Sequence, residues 1–486
     1  MVFAGRARTV CLHIALTLSG LVSTVSFAAE SHADNHDLTA LITHIDQLRE
    51  RKRIAGAGLL LVEGGKTTFI DGLGTLAHGS RQAVTPETLL RIGSITKSFT
   101  ALGLLKLTEE KTISLDAPLR QWIPSELFHN PWADSNPVTL AQLLEHSAGF
   151  SDISKAEFDD NDGERVRLLA NLSRYKEQHR VQWRPGYYHS YSNLGAALAG
   201  LAIENISRQS YEAFMEKNIF EPLGMRNAGF FLSPEDRTEL ATGYDSDGVT
   251  PIPYWHMVYR PFGGINLTLR DMQPFLLMLL NRGVHNGEQW MSPALIERME
   301  TPQTTMAARS GLGYGYGAGS YQWLRRGVVF HGHGGDADGY LSRYAYTRQN
   351  DSGYFLVITA YQNKVIASMT RAIERYLTRD VPPVAEPPAQ RLTVSQIARL
   401  TGRYEKQTRR FGPSDTALFI SSEGADLFTR RGAGDRRRLI PINEKHFRRP
   451  GETMATIAIM QTDHGDMIYA EDSQNYQRVS AADKSP

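Results

Sequence analysis

The chain has 486 residues, 41% of them hydrophobic and 22% charged, with a formal net charge of +1. That length predicts one large domain and a small one. The balanced charge, with no basic stripe interleaved with aromatics, argues against nucleic acid as a partner, and Arg430–Arg431 and Arg436–Arg438 read as solvated loop charges.

Residues 1–29 read as an export signal peptide. Arg6 and Arg8 precede the apolar run VCLHIALTLSGLVSTVSF, and Ser26 and Ala28 offer small residues for cleavage. A periplasmic or secreted protein is therefore expected, with an uncleaved anchor as the alternative because the run can reach across a thin membrane. No later segment is apolar enough to span a bilayer, so no stable span is expected after cleavage. The only cysteine, Cys11, lies inside the signal without lipoprotein spacing. The mature chain then has no disulfides, and an oxidising compartment is permissible.

AGAGLLLVEGGKTTFIDGLGTL predicts two strands joined at Gly64–Gly65. LRIGSITKSFTALGLLKL, Leu90 to Leu107, then places Ser94 and Lys97 one helical turn apart in an apolar run. Ile95, Phe99, Leu102 and Leu105 recur at helical spacing, which would bury one face. A serine in the first turn lies near unpaired backbone N–H groups and the positive end of the helix dipole, and Lys97 shares its face. Burial and the dipole both disfavour the ammonium form, so Lys97 could accept the Ser94 proton. A helix cap beside a snorkelling lysine explains the same pattern. SRYK, Ser173 to Lys176, repeats the spacing among Arg174, Tyr175, Glu177 and Gln178, and reads as a solvated helix face.

VTLAQLLEHSAG predicts one helix, with Thr139 and Gln142 as a capping box and Gly149 as its stop. PGYYHSYSNLGAAL holds Tyr191-Ser192-Asn193 directly before a helix that is apolar on nearly every face and so belongs in the core. YWHMVYRPFGG, Tyr254 to Gly264, is either the wall of a cleft or a packed aromatic loop. GLGYGYGAG is no nucleotide loop, because no helix follows it. RGVVFHGH, GYLSRYAYT and YFLVITAYQ predict three strands, and KVIASMTRAIERYLTR a helix. Strands at both ends with helices between predict an α+β fold over residues 30–380: one antiparallel sheet flanked by helices, with a helical insertion. A proline-rich linker, Val381 to Gln390, precedes LTGRYEK, TALFISSEG, TMATIAIMQT and GDMIYAE, short strands that predict a small all-β, lipocalin-like domain over 391–486. No recognised motif lies beyond the linker, so that domain is expected to be separable.

Ser94-Ile95-Thr96-Lys97, Tyr191-Ser192-Asn193 and His333-Gly334-Gly335 together resemble the three ordered motifs of the serine β-lactamase and penicillin-binding-protein superfamily. The Tyr-x-Asn form is similar to the class C branch and its relatives, the β-lactamase-like esterases and D-amino-acid peptidases. LDAPLRQWIP, LLEHSAGF, PLGM and GGINLTLRD support it, and the resemblance covers roughly residues 40 to 378. It implies Ser94 as the acylated nucleophile, with Lys97 and Tyr191 as proton-transfer partners. Tyr191 can act as a base only where nearby cations lower its pKa. Asn193 would hold the carbonyl or amide side of a substrate and contact Lys97. The backbone N–H groups of Ser94 and Asp336 would form the oxyanion hole, and Gly334 and Gly335 would let a substrate backbone approach the strand. No cofactor is implied.

The third motif departs from the pattern. His333 stands where lysine usually gives a permanent positive charge, and an ordinary histidine is mostly neutral at pH 7. His-Gly-Gly is a variant found among the esterase and peptidase relatives, so the resemblance does not imply β-lactam hydrolysis, and uncharged esters are expected to outperform β-lactams. Ala148, where relatives usually have serine, reads as packing. His331, His333, Asp336 and Asp338 suggest a zinc site, but HxHxD would need an acid where Gly335 stands, so no metal is expected. The leading expectation is an exported serine hydrolase acting on an ester or amide, a small molecule or a peptide. A D-alanyl peptidase or class C-like β-lactamase is second. A penicillin-binding or sensing protein that acylates without turnover is third, and the oligomeric state stays open.

Overall fold

The computed structural model describes residues 37–159, 166–408, 416–471 and 474–479, so the run read as an export signal and Cys11 lie outside the described residues. Two runs far apart in the chain share one sheet. β1 (Gly56–Glu63) and β2 (Lys66–Gly74) form the expected hairpin. β3 (Tyr321–Arg325), β4 (Val328–Ala337), β5 (Tyr340–Thr347) and β6 (Ser352–Ile358) come late in the chain. The antiparallel order is β2-β1-β6-β5-β4-β3, with Leu59 of β1 opposite Leu356 of β6.

One face is covered by α1 (Leu38–Arg51) and α6 (Asn363–Leu377). The other packs on the helical insertion, which includes α2 (Thr96–Glu109), α4 (Asn193–Ser207) and α5 (Leu269–Leu280). β1 sends Leu60 and Val62 to this second core and Leu59 and Leu61 to the first. Two buried faces explain why that strand is apolar at consecutive positions. α2 is buried on every face from Thr96 to Leu105, not on the single face its spacing suggested. Its Phe99 stacks on Phe275 of α5 at 4.3 Å.

VTLAQLLEHSAG is helical only over α3 (Leu140–Leu144), with the Thr139–Gln142 capping box formed. The helix stops early because His146 takes a left-handed φ of 53° and the Ser147 and Ala148 N–H groups fold back to the Gln142 carbonyl. Gly149 lies beyond the end and accepts from the Gln182 and Trp183 N–H groups instead.

After the linker, α7 (Val394–Leu400) leads into a closed eight-stranded barrel. Its strands are β7 (Gly402–Lys406), β8 (Leu418–Glu423), β9 (Asp426–Arg431), β10 (Arg437–Pro441), β11 (His446–Arg448), β12 (Ile457–Gln461), β13 (Met467–Glu471) and β14 (Gln474–Arg478). The arginines read as loop charges sit mostly on β9 and β10, where Arg438 pairs with Asp426 at 2.7 Å and Arg431 with Glu471. Inside the barrel, Arg449 is buried and donates to Glu471 at 2.9 Å, Tyr469 Oη at 2.8 Å and Thr429 Oγ1 at 2.7 Å. Burial alone would raise the Glu471 carboxyl, but Arg449 and Arg431 hold it below the usual carboxylate value.

Glu471→Gln should therefore destabilise the barrel by about 3–5 kcal/mol at neutral pH, because it strands a buried guanidinium. A group with a lowered folded pKa stabilises above its unfolded value of about 4.3 and loses that contribution as pH falls through the folded value. The gap in melting temperature between wild type and variant should narrow in acid.

The barrel is not an isolated unit. Its Ala458, Met460, Ile468 and Ala470 share one apolar cluster with Tyr188, Ala307 and Leu312 of the larger domain. Arg448 also fastens the linker by donating to the Pro387 carbonyl at 2.9 Å. Removing the barrel would bare that patch, which the linker composition does not reveal. Among the described residues, no helix is long and apolar enough to cross a membrane.

Candidate active site

Two glycines press β4 against the start of α2. Gly93 opens a 3₁₀ turn, Gly93–Ile95, with a φ of 52° and the Asp336 backbone directly beside it. A Cβ on Gly335 would overlap the Ile92 carbonyl oxygen. Only glycine permits this approach, which brings the backbones of Ser94 and Asp336 together.

Lys97 is 3% exposed, and its Nζ donates to Ser94 Oγ at 3.0 Å and to the Phe262 carbonyl at 2.8 Å. The amine turns inward, so the snorkelling alternative does not hold. Phe262 and Met257 line the same cleft, so YWHMVYRPFGG is its wall. Ser173, the control pair's serine, is exposed on a helix.

The segment before α4 is fixed residue by residue. Ser190 N–H donates to the His146 carbonyl at 2.7 Å, Ser192 Oγ to the Ser151 carbonyl at 2.8 Å, and Asn193 N–H to Asp152 Oδ1 at 2.8 Å. The Tyr191 ring lies 4.2 Å from the His146 ring and 6.4 Å from Tyr321, nearly parallel to the latter. Lys97 Nζ stands 4.9 Å from its centroid. Asn193 donates through Nδ2 to Asp152 Oδ2 at 3.3 Å, while its Oδ1 is buried without a hydrogen-bond partner among the described residues. Ser94, Tyr191, Asn193, His333, Gly334, Gly335 and Asp336 all line one cleft of about 800 Å³, with Lys97 directly behind Ser94.

A family model for beta-lactamase matches residues 41–381. The chain belongs to the beta-lactamase family. Protein flp of Staphylococcus aureus strain MRSA252 is 28% identical over 244 residues, 49% of this chain and 48% of that one. The chain thus spans about half the length of its staphylococcal relatives. Penicillin-binding protein 4 of Amycolatopsis lactamdurans is 25% identical over 383 residues, 74% of this chain and 96% of that one. Among solved structures, the octameric penicillin-binding protein homologue from Pyrococcus abyssi superposes with a TM-score of 0.60 at 23% identity, covering 91% of this chain and 100% of that one. That likeness is one of fold.

The surroundings of the third motif were invisible in sequence. His333 is 2% exposed, with Nδ1 2.5 Å from the Gly334 carbonyl oxygen and Nε2 2.9 Å from Tyr316 Oη. Burial, with Tyr191, Tyr321 and Tyr344 adding to it, pushes the Tyr316 phenol well above its usual value, so Tyr316 keeps its proton. A carbonyl only accepts, so His333 Nδ1 carries a proton and donates to Gly334. His331 is separate, against Tyr346, and burial pushes it down to about 4.

Sequence reasoning missed Arg343. It lies on β5 opposite Gly334 and lines the cleft, with Nη2 3.3 Å from the position a Gly334 Cβ would take. Its buried Nε has no hydrogen-bond partner among the described residues. Only the β4–β5 register brings it there. Tyr314 and Tyr316 were missed because GLGYGYGAG was weighed only as a nucleotide loop, though its alternating tyrosines were a signal for a lined wall.

Proposed function

We propose that this member of the beta-lactamase family is an exported serine hydrolase that forms an acyl-enzyme at Ser94 with ester or amide substrates. The observation that carries the reading is the buried Lys97 amine held 3.0 Å from Ser94 Oγ by a second acceptor, the Phe262 carbonyl. Ser94 Oγ bonds to the substrate carbonyl carbon as its proton passes to Lys97 or Tyr191. The oxyanion is met by the N–H groups of Ser94 and Asp336. Collapse breaks the bond to the leaving group, which takes the proton, and water then releases the acyl group. Asn193 Oδ1 is an acceptor suited to a substrate amide. The basic, apolar N-terminal run supports export.

A second reading, carboxylate-bearing substrates such as D-alanyl peptides or β-lactams, is favoured by Arg343. This guanidinium beside Gly334 supplies a permanent cation at a third motif that has no lysine. A screen of the full chain on p-nitrophenyl acetate, a D-alanyl peptide and a cephalosporin tests both readings. Arg343→Ala should lower kcat/KM for the two carboxylates about ten- to a hundredfold, the worth of one charge-assisted contact, and barely affect the neutral ester. Equal losses on all three would make Arg343 structural. No acylation by any of them would defeat the reading as a whole.

A further inference from the structure

We infer that the barrel holds the catalytic wall in place, with Asn475 as a positioning residue for Tyr191. This rests on the proposed role of Tyr191 in proton transfer. Asn475 lies on β14, 4% exposed, and its Nδ2 donates to the His189 carbonyl at 2.8 Å and to Thr408 Oγ1 at 3.2 Å. Its own carbonyl accepts from Gln407 N–H at 2.8 Å, which fixes it within the barrel. His189 is two residues before Tyr191. Neither of its ring nitrogens has a hydrogen-bond partner among the described residues, so the carbonyl is its polar anchor. Tyr188, one residue earlier, packs its ring among Ala458, Met460, Ile468 and Ala470 of the barrel.

The barrel thus holds Tyr188 and His189, while the 146–152 segment holds Ser190, Ser192 and Asn193. Tyr191 sits at the seam. A neighbouring loop is gripped in the same way: Ala307 and Leu312 join the cluster and Ser310 Oγ lies 3.0 Å from His446 Nε2. That loop continues to Tyr314 in the cleft wall and Tyr316 on His333. Loss of the Asn475 donor would leave a buried carbonyl unpaired, and the extended segment could relieve this only by moving.

The test is a double-mutant cycle on the full chain with Asn475→Ala and Tyr191→Phe. The readouts are the rate of Ser94 labelling by a fluorophosphonate probe and kcat and KM for p-nitrophenyl acetate against pH. Asn475→Ala should lower kcat and labelling about ten- to a hundredfold with KM nearly unchanged, the expected consequence of a base displaced by about an ångström. It should move the limb of the pH profile that Tyr191→Phe removes, and cost nothing further in the Tyr191→Phe background. An equal loss in both backgrounds, or wild-type kcat in a folded Asn475→Ala protein, would overturn the inference. Where Asn475→Ala does not fold, Asn475→Ser takes its place under the same criteria, keeping a polar group while being too short to reach His189. Tyr191→Phe with full activity would instead defeat the proposed role of Tyr191, and the positioning role with it.

Discussion

Ser94→Ala should lower kcat about ten-thousandfold or more and abolish covalent labelling, equivalent to about 5 kcal/mol or more of barrier. Ser94 Oγ lies 3.0 Å from Lys97 Nζ at the turn that opens α2. What survives should be the residual catalysis of a site that still binds substrate and still offers its N–H groups to an oxyanion. Stability should barely change. Ser94 is only partly buried, and its loss leaves Lys97 bonded to the Phe262 carbonyl. A melting curve matching wild type beside a collapsed kcat would separate chemistry from folding.

Lys97→Met is expected to cost about a thousandfold in acylation rate, within the range for a lost general base. Methionine keeps most of the buried volume, so the variant should fold while removing the only cation within hydrogen-bond reach of Ser94 Oγ among the described residues. Lys97→Arg should be no better, because guanidinium cannot give up its proton at usable pH. Both Lys97→Met and Lys97→Ala leave the Phe262 carbonyl buried and unpaired, at a cost of about 1–3 kcal/mol, and Lys97→Ala adds the cost of a cavity. Stopped-flow acylation by p-nitrophenyl acetate reads these effects before turnover complicates them. Near-wild-type acylation in Lys97→Met would remove Lys97 from the mechanism.

What could be read from the residues follows the strength of local pattern. β1 and β6 carry apolar runs buried on both faces, and their turns were visible. β3, YQWLR, is half-buried at every position on a sheet edge, so its sequence carries no alternation. β9 to β11 hid behind arginines whose partners, Glu423, Asp426 and Glu471, become neighbours only when the barrel closes. The early end of α3 depended on His146 adopting a left-handed conformation, which nothing local required.

Ser94, Lys97, Tyr191, Asn193 and His333–Asp336 were legible as ordered motifs, and the fold gathers them around one cleft. Arg343 and Asn475 were not, for a physical reason. Arg343 reaches the cleft through the cross-strand pairing of β4 and β5, and Asn475 meets the His189 carbonyl through docking of two domains. His333 was read as standing where lysine usually does; the fold adds that its nitrogens meet Tyr316 and the Gly334 carbonyl. Arg343 adds a guanidinium to the same cleft, beside Gly334.

Peptide mapping of the wild-type chain after fluorophosphonate treatment tests the acyl-enzyme most directly. The expected adduct sits on the peptide carrying Ser94, at one per chain, with the Ser173 peptide unmodified and no adduct anywhere in Ser94→Ala. An adduct on Ser173 or another serine, or ester turnover that persists in Ser94→Ala, would contradict the central role given to Ser94.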